Sequence, residues 1–207
     1  QAGFRSQSSG SIAIGYQAKA GSVGYDNIVL GKGAGAGFSS GYKNIVMGNQ
    51  AAAGHNGIEN VVIGHQAMGG GSTGVDKTII IGYQAAYNIN SANADGTIAI
   101  GYKAGGSITS GAGNTAIGYE ALLTEDTGGG NTAIGYQSLL LDTKGARNTA
   151  IGYQTLANQN FTSATNAYNT AVGYSAGIAV TTGTENTLIG GLAGDAITTG
   201  VRNTALG

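Results

Sequence analysis

The chain of 207 residues contains no cysteine, no proline and no tryptophan, and only 9% of it is charged. Without cysteine there is no disulfide framework and no thiolate metal site. The redox compartment stays open, although such a chain suits an oxidising exterior. Without proline, and with no Gly-X-Y period, the 40 glycines do not signal a collagen triple helix. Nine basic against ten acidic residues leave a net charge of −1, so there is no basic field for nucleic acid and no polybasic patch for a membrane surface. No apolar run approaches the roughly 20 residues that span a bilayer, so membrane insertion is not expected. What is present is 41% hydrophobic residues among those glycines. That is too apolar for disorder and points to a turn-rich β architecture.

Internal repetition decides the fold class. Glycines align at Gly15, Gly31, Gly48, Gly64, Gly82, Gly101, Gly118, Gly135, Gly152, Gly173, Gly190 and Gly207, mostly 16 to 19 residues apart with one gap of 21. Each is preceded by an aliphatic residue or methionine, such as Ile117, Ile134 and Ile151. Two before it stands Ala, Val, Ile or Leu. Three before it stands Ile or Val in the first six repeats and Thr in the last six. These are mainly β-branched positions, so a strand of about five residues per repeat is expected. Four before the glycine, nine repeats carry asparagine, among them Asn114, Asn131, Asn148, Asn169 and Asn186. Asparagine accepts turn geometry, so this column marks a corner, and stacked amides can bond one another. Asn114, Asn131, Asn148, Asn169 and Asn186, with Ile117, Ile134, Ile151, Gly118, Gly135 and Gly152, form the expected structural ladder.

About 17 residues per coil suit an all-β parallel solenoid. The expectation is a single segment over residues 1–207 of about twelve coils, cut mid-repeat at both ends, forming a rod on the order of 55–60 Å long. A second, less regular strand is expected in each coil, as at Leu139–Leu141. Side chains alternate along a strand. The residue before the glycine and the Ile or Thr two before that are therefore assigned to the interior, and the intervening Ala or Val to the outside. Both faces are apolar, which reads as burial on both sides. One thin roll covers one face only, so a homo-oligomer is expected.

The Asn-Thr-Ala-Ile-Gly-Tyr-Gln-Ala string, carried best by 114–121, 131–138 and 148–155, resembles the head repeats of trimeric autotransporter adhesins (the YadA-like head). It is even more similar to repeats of phage tail fibres. At motif level the resemblance covers essentially the whole chain. It implies a left-handed parallel β-roll packed as a homotrimer in an extracellular fibre, on a virion or a cell surface. The period exceeds that of the shorter adhesin repeat. By this reading the chain is a non-enzymatic shaft or head segment supporting attachment to a host or surface. The alternative is a lone solenoid whose lateral face binds a glycan, a protein or ice.

Candidate sites are few. Tyrosine follows the glycine in seven repeats, including Tyr102, Tyr119, Tyr136 and Tyr153. These four are possible surface contacts for a sugar or receptor, against the preferred structural reading as an edge-covering row. His65 occupies the tyrosine slot of its repeat and reads as a structural substitute, with an ion held on a threefold axis as the weaker option. Acidic residues, including Glu125, Asp126 and Asp142, read as solvated turn residues. No carboxylate pair across a cleft is visible, and glycosidase chemistry requires one. Gly31 to Gly37 contains neither a dinucleotide fingerprint nor a P-loop. No catalytic, cofactor-binding or metal-ligating residue is assigned. The Thr column is placed inward, which argues against ice binding.

Overall fold

The computed structural model describes residues 10–19, 24–71 and 74–207, and residues 1–9 of the expected segment lie outside them. In chain order the strands are β1 (Ile12–Ile14), β2 (Ile28–Leu30), β3 (Ile45–Met47), β4 (Val61–Ile63), β5 (Ile79–Ile81), β6 (Ile98–Ile100), β7 (Thr115–Ile117), β8 (Thr132–Ile134), β9 (Gly145–Ala146), β10 (Thr149–Ile151), β11 (Thr165–Asn166), β12 (Thr170–Val172), β13 (Thr187–Ile189) and β14 (Thr204–Leu206). Twelve of them form one parallel sheet in sequence order, each coil adding the next strand, and β9 pairs with β11 separately. The register keeps each repeat position over its equivalent: Thr115 pairs with Thr132, Ala116 with Ala133 and Ile117 with Ile134. The molecule is a parallel β-solenoid of about 17 residues per coil.

The strands are three residues long, shorter than the expected five, because left-handed backbone brackets each one. Arg147 (φ 62°) precedes the Asn148 corner, and Gly152 (φ 137°) ends β10. Nor is there a second continuous strand after the glycine. Leu139 to Leu141 belong to stacked turns in which the residues two and four after the glycine both take positive φ, for example Gln137 (53°) and Leu139 (49°). Among the described residues, twenty-four other than glycine adopt positive φ. Each costs about 1–2 kcal/mol in isolation. Stacking offsets that cost, since Gln137 N–H donates to Tyr119 O at 2.9 Å in one neighbouring coil and Leu139 N–H to Thr155 O at 3.0 Å in the other. The turns thus supply a second hydrogen-bonded wall without strand geometry.

The face assignment made from sequence is inverted. The middle strand residue is the buried one: Val29, Val46, Ile80, Ala99, Ala116, Ala133, Ala150, Ala171 and Leu188 are all fully buried. Its neighbours point outward, with Ile28, Ile45 and Ile79 each near 39% exposed. Thr115, Thr132, Thr149, Thr170, Thr187 and Thr204 lie on that outer face too. The physical reason is thickness. The small residues three after the glycine, such as Ala104, Ala121 and Ser138, are also buried, so two walls of small side chains meet across a narrow interior. Larger residues four and seven after the glycine fill what remains. Ala116, Ala133 and Ala150 accompany buried Leu122, Leu139 and Leu156. Leu188 instead accompanies Gly194, where an added Cβ would lie 2.7 Å from the Leu188 side chain. Two isoleucine columns would not fit inside.

The asparagine corners lock the coils together. Asn131 N–H donates to Asn114 Oδ1 at 2.9 Å and Asn148 N–H to Asn131 Oδ1 at 2.9 Å. Asn169 N–H reaches Asn148 Oδ1 at 3.2 Å and Asn186 N–H reaches Asn169 Oδ1 at 2.9 Å. The Asn114, Asn131, Asn169 and Asn186 amides also cross to a glycine carbonyl of the next coil, as Asn131 Nδ2 does to Gly145 O at 2.8 Å. These side chains are buried, so every bond replaces one that water cannot supply.

Candidate functional site

Three surfaces arise from the repeat. The first is the outer face of the twelve-stranded sheet. Two columns run along it: Ile12, Ile28, Ile45, Val61, Ile79 and Ile98 continuing into the six threonines, and the column from Ile14 through Ile117, Ile134 and Ile151 to Leu206. Because the strands are in register at every step, these side chains form unbroken stripes rather than scattered apolar residues. A contiguous apolar patch of this extent is unusual on a free surface.

The second surface is an aromatic ridge beside the first. His65, Tyr83, Tyr102, Tyr119, Tyr136, Tyr153 and Tyr174 stack in a single file, with ring centroids 4.9–5.5 Å apart and planes within 17° of parallel. The spacing is the coil repeat itself. Tyr102, Tyr119, Tyr136 and Tyr153, the possible surface contacts, are therefore packed face to face. Their edges reach solvent at about 40% exposure, but their ring faces are occupied by one another. Sugars stack on ring faces, so inside this file only edges and hydroxyls are on offer. His65 closes one end of the file against Tyr83.

A glutamine file runs parallel to the ridge. Gln66 Nε2 donates to Gln50 Oε1 at 3.2 Å and Gln84 Nε2 to Gln66 Oε1 at 3.0 Å. Gln154 Nε2 donates to Gln137 Oε1 at 3.0 Å, and Gln137 Nε2 to Glu120 Oε2 at 2.9 Å. Lys103 interrupts this file and lies 5.4 Å from the centroid of the Tyr102 ring. A shallow groove beside it is lined by Gln84, Tyr87, Asn88, Lys103, Ser107 and Leu123. It brings together no nucleophile and base.

The third feature is the charged corner. Glu185 and Arg202 pair at 2.7 Å and Lys43 and Glu59 at 3.7 Å, both well exposed. Exposed pairs of this kind contribute little to stability. Asp76 and Asp95 serve the backbone: Ile58 N–H donates to Asp76 Oδ1 at 2.9 Å and Asp76 N–H to Asp95 Oδ1 at 2.8 Å.

Two acidic residues depart from the solvated-turn reading. Glu125 and Asp142 are fully buried in successive coils, beside Gln159. Sequence reasoning placed them on turns without noticing that both sit seven residues after the repeat glycine. Phe38, Ile89, Ile108, Val180 and Ile197 hold that position elsewhere, and it faces inward. The shared offset was the available signal. The pair lines no cleft, being sealed from solvent. Burial, and then the Asp142 carboxylate, push Glu125 up from its ordinary value to about 8. His55 occupies the same inward column and is buried. Among the described residues, no three His, Cys, Asp or Glu side chains gather as a metal would require, and no helix is long and apolar enough to cross a membrane.

No protein-family model, curated protein or solved structure matches this chain.

Proposed function

We propose that the chain is a structural shaft or head segment of an extracellular homotrimeric fibre, a virion or cell-surface appendage that supports attachment to a host or surface. The outer sheet face carries this reading. Eighteen aliphatic or methionine side chains point out of the sheet along its length, in unbroken columns. Covering a half-exposed aliphatic side chain contributes roughly 1 kcal/mol. Eighteen on each of three protomers outweigh the association cost of about 4–15 kcal/mol per partner. The partner is another copy of the same chain. The Ile-to-Thr change at mid-rod gives the face a polarity, so parallel, in-register copies meet like with like. The inverted faces strengthen the argument, because the side left uncovered carries the larger residues. A left-handed winding and the number three are supported by the resemblance to adhesin and tail-fibre repeats.

The mechanism is mechanical. Parallel hydrogen bonds from coil to coil and the asparagine ladder, interrupted at Thr78 and Thr97, give a stiff rod that projects a binding tip from an anchor. The test is mass in solution by light scattering, with imaging of the same sample. A trimeric rod on the order of 55 Å long is expected. Ile79→Lys, at an outward position of β5, is expected to yield monomers with an unchanged β spectrum. A stable wild-type monomer overturns the fibre reading.

A lone solenoid with a lateral binding face is the second reading. The outward Thr column favours it, since six consecutive Thr-x-Ile (or Val, Leu) strands make a flat, regular, partly exposed surface of the kind that binds ice. Monomeric mass together with thermal hysteresis would establish it. A glycan on the tyrosine file is disfavoured by the mutual stacking of its rings.

A further inference from the structure

Seven residues after each repeat glycine the chain points into the interior, and three consecutive coils place Glu125, Asp142 and Gln159 there, all fully buried. Nothing in the repeat demands this, since Ile108 and Val180 fill the same position on either side. The hydrogen-bond accounting is nearly complete. Asp142 Oδ1 accepts from Gly145 N–H at 3.0 Å and Phe161 N–H at 3.2 Å, and Oδ2 accepts from Gln159 Nε2 at 2.6 Å. Three donors on two oxygens is the pattern of an ionised carboxylate. Gln159 Oε1 accepts from Asn169 Nδ2 at 2.8 Å, which ties the group into the asparagine ladder. Glu125 Oε1 accepts from Gly128 N–H, but Glu125 Oε2 is buried with no partner at all.

An orphaned carboxylate oxygen in a packed interior costs several kcal/mol unless a proton or a cation accompanies it. The charged groups acting on Glu125 are Asp142 in the following coil and Asp126 beside it in the chain, both acidic. The preceding coil presents Ile108. We infer that Glu125 is carried as the neutral acid, with the proton on Oε2, and that the Glu125–Asp142–Gln159–Asn169 seam is a proton-dependent latch holding these coils closed. The proton removes the charge that burial and the acidic neighbours disfavour, while Asp142 keeps its three donors. A cation would require further oxygen ligands, and among the described residues no three His, Cys, Asp or Glu side chains gather to hold one.

The sign follows from linkage. Below pH 4.5 Glu125 keeps its proton whether these coils are closed or open. Above it the open form releases the proton and the closed form retains it up to about pH 8. The stability the proton supplies is thus present at low pH and lost as pH rises to about 8, after which the loss levels off. The closed-to-open ratio falls by up to about tenfold per pH unit across that window.

The test is hydrogen exchange followed by mass spectrometry on the full chain between pH 5 and 9, corrected for the intrinsic exchange rate. Amides of residues 122–161 are expected to lose protection by about tenfold per unit up to pH 8, while residues 28–48 serve as a pH-flat internal reference. Glu125→Gln, which places an amide donor at Oε2, is expected to abolish the slope and to be the better protected form at pH 9. A flat wild-type profile over 122–161 overturns the proposal, as does an unchanged slope in the variant. So does a chelator-induced loss of protection restored by calcium or magnesium, which would put a cation in the proton's place. Should the variant fail to fold, the wild-type pH series still decides.

Discussion

Replacing Asn131 by alanine tests whether the asparagine ladder holds the coils or merely decorates a corner. Asn131 is buried, and its side chain makes three bonds. Nδ2 donates to Gly145 O at 2.8 Å, while Oδ1 accepts from Asn148 N–H at 2.9 Å and Asn148 Nδ2 at 3.1 Å. Truncation leaves two backbone groups and one amide without partners inside the protein. At about 1–3 kcal/mol for each orphaned group, and allowing for relaxation, the loss is about 3–6 kcal/mol. Asn131→Thr should cost about half as much or less, because Thr78 and Thr97 occupy the column natively and Thr78 Oγ1 bonds Asn60 Oδ1 at 2.8 Å. The assay is guanidinium denaturation at fixed protein concentration, supported by local hydrogen exchange, since a solenoid contacts only its neighbours and need not unfold as one unit. An alanine variant within about 0.5 kcal/mol of the parent would refute the reasoning, and so would a threonine variant as damaging as alanine.

Gly118→Ala should destabilise by a different route. The residue sits at φ 136°, and a Cβ there would lie 2.4 Å from Gly135 O in the next coil. Strain and overlap together predict a loss of about 2–5 kcal/mol in the same denaturation assay. Tyr119→Ala removes two stacked contacts, at 4.9 and 5.1 Å, and should lower stability by about 1–2 kcal/mol without altering any sugar binding, as measured by glycan-array or calorimetric titration. Lost binding at unchanged stability would instead make the ridge a recognition surface.

Much of this architecture is legible in the sequence, for a definite reason. Parallel in-register stacking places each repeat position on its own copy, so period, glycine column and asparagine column translate directly into coils, corners and ladders. The twelve strands lie where the glycine spacing puts them, and the 21-residue gap before Gly173 is absorbed locally where β11 pairs with β9. The tyrosine file follows equally directly, with His65 taking its place in it.

Only the tertiary structure decided which face turns inward. Alternation fixes that Ala116 opposes Thr115 and Ile117, but not the side on which the interior lies, because both sides are apolar. The choice falls to the width of the roll, set by the small residues three after the glycine and by the leucines that fill the remaining space. The second wall was undecidable for a related reason. Gln137 and Leu139 occupy left-handed backbone that their side chains disfavour, and only bonds to the coils before and after make it tolerable. The burial of Glu125 and Asp142 belongs with these. A carboxylate beside glycines and threonines reads as a solvated turn, until the stacking of one coil on another closes the interior over it.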